Sequence, residues 1–212
     1  MIKVELIDKM GGDLSVVNSA RVSFAKVKEV MDLGDEKLIR YLASHKHMTP
    51  FRHNAIQIRC KAPIFLARQL GKHQAGLSWN EVSRRYVDSA PEFYHPPEWR
   101  SRPDGSIKQG SASVHGMTAF WSDEYEEAVK KMQWLYTDMV NGGIAPEMAR
   151  MVLPQSMLTE WYWTGNLLSF AHVYNERIAE NAQEEARIFA MSLGAIIQPH
   201  FPVSWTALTN KA

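Results

Sequence analysis

Residues 56–86, IQIRCKAPIFLARQLGKHQAGLSWNEVSRRY, change period within a single stretch, and the fold class turns on that change. Ile56, Ile58 and Cys60 alternate with Gln57 and Arg59, the two-residue period of a half-buried strand. Pro63 then fits the first turn of a helix through IFLARQL, where its missing N–H would lack a partner anyway. That helix delivers Arg68, Gln69 and Lys72 to GKHQAGLSWNEVSRRY, Gly71 to Tyr86. This segment carries Lys72, His73, Gln74, Asn80, Glu81, Ser83, Arg84 and Arg85 with little aliphatic bulk, more forked donors than a core can bury unpaired. In an extended backbone Glu81, Ser83 and Arg85 project to one side. A carboxylate, a hydroxyl and a guanidinium there would cradle a phosphorylated ligand. The plainer alternative is a solvated loop with local ion pairs.

On the N-terminal side, residues 2–8 alternate and read as a strand, and Asp13 reads as the N-cap of a helix through LSVVNSARV. Leu38, Tyr41 and Leu42 mark a second amphipathic helix ending near His45–Pro50. On the C-terminal side, residues 95–117 are rich in Pro, Gly and Ser and are expected to form a mobile loop. Tyr125, Ala128, Val129, Met132, Leu135, Tyr136 and Met139 predict a helix opened by Ser122 and closed at Gly142–Gly143. Pro146 starts a short helix ending before Pro154, and the aromatic QSMLTEWYWTG fits either strand or helix. Residues 167–197 read as helical, in one or two pieces, with Phe170, Ala171, Tyr174, Ile178, Ala182, Phe189 and Leu193 inward. The expectation is one α+β domain over residues 1–212, a small mostly antiparallel sheet with a predominantly helical C-terminal half.

With 45% hydrophobic and 22% charged residues the chain has an ordinary globular composition. A formal charge of +1 gives no bulk attraction to nucleic acid or anionic membrane, so neither partner is expected and any anion site must be local. Cys60 is the sole cysteine, which excludes a disulfide within the chain and any multi-cysteine metal site. No apolar run reaches membrane-spanning length and the N-terminus lacks a signal-peptide layout, so a cytoplasmic location is expected. His45, His47 and His53 lie close enough in sequence to consider zinc or iron, but no carboxylate joins them; helix-end polar residues are the alternative and no metal is expected. Cys60, on the apolar face of its strand, reads as a small buried residue and not a nucleophile. Arg150, and Arg177 between inward Tyr174 and Ile178, must pair, face a ligand or lie exposed.

These residues coincide with a known pattern. The chain resembles the flavin-dependent thymidylate synthase family, whose hallmark is Arg-His-Arg, a short spacer, Asn-Glu, then Ser-x-Arg-Tyr. Here it reads Lys72-His73-Gln74, a spacer, and Asn80-Glu81-Val82-Ser83-Arg84-Arg85-Tyr86. DLSVVNSARVSF, HKHMTPFRH, KAPIFLARQ, ARMVLP and the WTGN–NER region also resemble the family, in order along the chain. The resemblance implies a homotetramer with sites between subunits. It also implies FAD as cofactor, with dUMP, methylenetetrahydrofolate and NADPH as substrates. It carries nucleotide binding onto Gln69, Lys72, Glu81, Ser83, Arg85 and Arg150. Arg177 matches the arginine that polarises the pyrimidine ring, and is the expected catalytic residue. His47, Thr49, Lys72, His73, Gln74, Glu81, Asn166, Leu168 and His172 fall where the family touches FAD or lines its pocket. Lacking a plausible thiolate, such an enzyme can stabilise charge on the ring with a guanidinium and take redox chemistry from flavin.

The hallmark is altered. Lys72 keeps charge but loses the fork, Gln74 loses the charge, Leu168 replaces an arginine, His172 replaces an asparagine, and the spacer is one residue longer. Each lost charged hydrogen bond costs about 1.5–3 kcal/mol, so weaker FAD binding is expected, with Arg84 as partial compensation. The readings left open are C5 methylation or hydroxymethylation of another pyrimidine nucleotide, and a non-catalytic nucleotide-binding homologue.

Overall fold

The computed structural model describes residues 1–87, 89–103, 105 and 110–210. The chain runs β1 (Lys3–Met10), α1 (Asp13–Arg21), α2 (Leu33–Ser44), β2 (Ala55–Pro63), α3 (Ile64–Leu70) and β3 (Leu77–Glu81). It continues with α4 (Thr118–Asn141), α5 (Pro146–Ala149), β4 (Leu158–Gly165), α6 (Leu167–Arg177), α7 (Glu184–Ile197) and α8 (Pro202–Thr209). The four strands form one antiparallel sheet in the order β1-β2-β4-β3. The α+β expectation holds.

Alternation decides the two faces of this sheet. Ile56, Ile58, Cys60 and Ala62 of β2 are buried, as are Trp161 and Trp163 of β4. Ile58 lies opposite Trp163 and Cys60 opposite Trp161. Leu66 and Leu70 of α3, Phe170 of α6, and Phe189 and Leu193 of α7 join the same core. The outward face carries charge instead: Arg59 pairs with Glu160 across the strands, and Lys61 reaches Glu92 at 2.9 Å. A one-sided antiparallel sheet packed on helices produces this segregation. Cys60 is wholly buried, and burial pushes its thiol pKa up, so it offers no thiolate.

Several local expectations are corrected by long-range contacts. Asp13 begins α1 and does not precede it; Gly12 is the N-cap. Its carboxylate instead accepts the N–H groups of Val203 and Ser204 at 2.8 and 2.9 Å, capping α8 from the far end of the chain. The second helix starts at Leu33, where Asp32 accepts the N–H of Asp35. Ser122 lies inside α4 and accepts the Trp99 indole N–H at 3.2 Å. Residues 158–165 are a strand because they pair on both sides, and 167–197 divide into α6 and α7.

The stem of the 95–117 segment is held: Arg100 bridges Val114, and Ser101 and Ala112 exchange backbone bonds with Ser113 and Ser101 at 2.9 Å. Trp99 packs edge-on to Tyr125. The expected mobility falls partly on residues 104 and 106–109, which lie outside the described residues.

Candidate active site

The polar segment 71–86 closes around a cleft of about 580 Å³ lined by Arg68, Lys72, His73, Gln74, Trp79 and Glu81, among others. Two contacts anchor its beginning. Ser169, in the first turn of α6, donates through Oγ to the carbonyl of Ala75 at 2.9 Å. Gly76 has φ +72, and a Cβ there would stand 2.5 Å from Ser169 Oγ, so only glycine allows this approach. From Leu77 the chain enters β3 beside β4, where Trp79 stacks on Trp161 at 4.3 Å.

Glu81 ends β3 with both oxygens engaged, accepting from Thr159 Oγ1 at 2.7 Å and Trp79 Nε1 at 3.2 Å. The extended premise then fails. The chain leaves the strand and turns, with the N–H groups of Tyr86 and Val87 donating to the Ser83 carbonyl. Glu81, Ser83 and Arg85 therefore do not share one strand face. The Arg85 guanidinium lies 4.9 Å from the Tyr86 ring centroid. Arg84 donates to the Ser89 carbonyl and lines a separate 160 Å³ pocket with Lys61 and Glu92.

Behind the cleft wall, Arg177 in the last turn of α6 holds His73. Its Nε donates to His73 Nε2 at 2.9 Å and its Nη2 to the Gln69 carbonyl at 3.3 Å. Burial, then the Arg177 charge, then His172 lower the His73 pKa to about 4. His73 is therefore neutral at neutral pH, and Nε2 is the acceptor that an Arg donor requires. Nη1 of Arg177 has no partner among the described residues.

His73 meets His172 edge to face at 5.6 Å, joining this cleft to a second of about 430 Å³ lined by Arg52, Ala75, Gly76, Asn166, Leu168, Ser169 and His172. Asn166 caps α6 through its Oδ1, and buried Asn54 accepts the Leu167 N–H at 2.7 Å, which fixes this end of the helix. His47 and Thr49 are exposed in the turn before β2, whose end carries Arg52 into the second cleft. His45 stacks on Tyr41 at 4.0 Å, and among the described residues no three His, Cys, Asp or Glu side chains gather to hold a metal ion.

One chain thus brings together Gln69, Lys72, His73, Gln74, Glu81 and Arg177, and beside them Asn166, Leu168 and His172. Arg150 stands apart: it is exposed, and its Nε donates to the Glu147 carbonyl at 3.1 Å. Sequence reasoning missed Arg52, Gln183 and Glu185. Glu185 lies four residues before inward Phe189 on a helix, a carboxylate on an apolar stripe that must find a partner.

This is a nucleotide-sized, cation-lined pair of clefts on an α+β scaffold. The chain matches the family described as thymidylate synthase complementing protein over residues 5–203. It is 37% identical over 211 residues to the flavin-dependent thymidylate synthase of Kosmotoga olearia, covering 99% of this chain and 90% of that one. It is also 37% identical over 209 residues to the enzyme of that name from Thermus thermophilus, covering 96% and 74%. The fold matches a UMP/dUMP methylase, PolB from Streptomyces cacaoi, bound with 5-Br dUMP, at TM-score 0.87 and 31% identity over 99% of this chain and 95% of that one. The chain belongs to the thymidylate synthase complementing protein family, the flavin-dependent thymidylate synthases.

Proposed function

We propose that the chain methylates dUMP to dTMP, with FAD as cofactor, methylenetetrahydrofolate as one-carbon donor and NADPH as reductant. The observation that carries this reading is Arg177, gripped by the Gln69 carbonyl and by a neutral His73 that itself lines a cationic cleft, in a chain whose only thiol is buried. Carbon 5 of uracil is a weak nucleophile until negative charge builds on the ring. With no thiolate to add to the ring, a guanidinium at its edge must stabilise that charge. The bonds to His73 and Gln69 occupy Nε and one hydrogen of Nη2, which leaves Nη1 available to donate to a ligand. Because His73 stays neutral, it orients Arg177 without competing for the developing charge.

The donor set suits a flavin dinucleotide. Lys72, Arg68 and Arg52 supply cations for a pyrophosphate, and Gln74, Asn166 and His172 supply hydrogen-bonding groups along the adjoining clefts. Bound there, the flavin supplies the transfer of reducing equivalents from NADPH to the one-carbon unit, which no side chain can perform. Lys72, Ser83, Arg85 and Arg150 hold the nucleotide phosphate in this reading, with Glu81 beside them.

The working form is a homotetramer with sites shared between subunits. Arg85 and Arg150 do not join the Arg177 cluster within one chain, and Val22, Phe24, Val27, Val30 and Leu33 are all at least 70% exposed in one run, an apolar patch that assembly would cover.

Anaerobic incubation with FAD, NADPH, methylenetetrahydrofolate and dUMP, followed by mass spectrometry of the nucleotide, should yield dTMP. Likeness to a methylase of both UMP and dUMP makes UMP the second substrate to offer. Methylation of UMP alone would reassign the substrate, and no methylation of either would reject the reading.

A further inference from the structure

A buried carboxylate outside the proposed ligand contacts lies on α7. Glu185 on α7 is 3% exposed. Arg100 Nη2 donates to its two oxygens at 2.8 and 2.9 Å, Gln183 Nε2 to Oε2 at 2.9 Å, and Tyr94 to Oε1 at 3.4 Å. Arg100 Nη1 also pairs with Glu184 at 2.9 Å. Burial acts to raise the Glu185 pKa, but the hydrogen bonds from Arg100, its own backbone and Gln183 outweigh it, so the group titrates below an ordinary glutamate.

An ionised carboxylate only accepts, so Gln183 must turn its NH2 toward Glu185 and its oxygen away. That oxygen accepts from Gln69 Nε2 at 2.6 Å. The polarity of the Gln69 amide is therefore dictated by Glu185, two hydrogen bonds away, and the Gln69 main-chain carbonyl is the one that holds Arg177. At its other end the same carboxylate holds Arg100, at the stem of the 95–117 segment.

We propose that Glu185 and Gln183 are positioning residues for the nucleotide site, fixing the side-chain conformation and amide polarity of Gln69 and tying that site to the 95–117 segment through Arg100. The proposal rests on Gln69 being a nucleotide contact. Without the relay, Gln69 must be ordered, and its amide turned, at the moment of binding, a cost that appears in affinity. Binding weakens while the chemistry at Arg177 continues, so KM rises more than kcat falls.

Calorimetric titration of FAD-loaded protein with dUMP tests this. Glu185→Gln and Gln183→Met should each weaken dUMP binding roughly tenfold, the effect of one charged or well-placed hydrogen bond. Gln183→Met leaves the Arg100–Glu185 pair in place, so it serves where Glu185→Gln fails to fold. On a Gln69→Ala background neither change should weaken binding further, because its effect passes through Gln69. Unchanged binding in the single variants, or equal weakening on both backgrounds, would overturn the relay and leave the nucleotide reading standing. A Gln69→Ala protein that binds dUMP as tightly as the unsubstituted chain would overturn both.

Discussion

Arg177 and His73 are 104 positions apart and act as one unit. Replacing Arg177 by alanine should abolish turnover while flavin absorbance stays with the protein, since Arg177 lines neither cleft wall that holds Gln74, Asn166 and His172. Normal turnover in that variant would break the mechanistic assignment. His73 carries the pH dependence. Its folded-state pKa of about 4 lies below the ordinary 6.5, so the unfolded chain binds more protons between those values. Its contribution to stability is therefore present above pH 6.5 and is lost as pH falls toward 4. In urea unfolding, the stability gap between the unsubstituted chain and His73→Asn should narrow as pH drops through that window; a gap that widens on acidification would reverse the sign. His73 and the polar segment were legible in sequence because donor density is a local property. The grip on Arg177 was not, because it is made by another helix.

At the scale of elements, strands and helices were read where one period dominated. Residues 56–60 and 64–70 were found because alternation and then helical spacing are uninterrupted there. The aromatic run of β4 was ambiguous: a central strand paired on both sides gives no clean sign in side-chain pattern alone. Helix α8 went unread; its cap is not in its own sequence but is Asp13, 190 and 191 positions away. Asp13→Ala should remove that cap and cost about 1–2 kcal/mol. In thermal denaturation this is a fall of about 2–4 °C per kcal/mol for a chain of this size. An unchanged midpoint would mean that α8 is held by its packing against α1, α2 and α6 without the cap. Extended geometry through Ser83 and Arg85 was a reasonable sequence inference from alternate spacing. The turn prevails because the segment's last backbone bond to β4 among the described residues is Val82 N–H to the Glu160 carbonyl at 2.9 Å, after which the Ser83 carbonyl accepts from Tyr86 and Val87.

At the scale of the whole molecule, Arg85 and Arg150 lie outside the linings of the two clefts that hold Arg68, Lys72 and Arg52, and an apolar run from Val22 to Leu33 faces outward. Sedimentation should find a tetramer, and Phe24→Asp with Val27→Asp should shift it to smaller species that bind dUMP more weakly. A tetramer indifferent to both changes would move the interface elsewhere. The amino-acid sequence by itself determined the class of fold, the absence of a usable thiol, the polar segment and the family, since periodicity, composition and ordered motifs are read along the chain. Only the tertiary structure decided which polar groups meet. It sent Asp13 to α8, turned Arg84 away from the main cleft, set Arg177 against His73, and buried Glu185 between Arg100 and Gln183. The physical reason is that a buried polar group must find a partner, and which partner lies within about 3 Å is fixed by how distant elements pack, not by residues nearby in sequence.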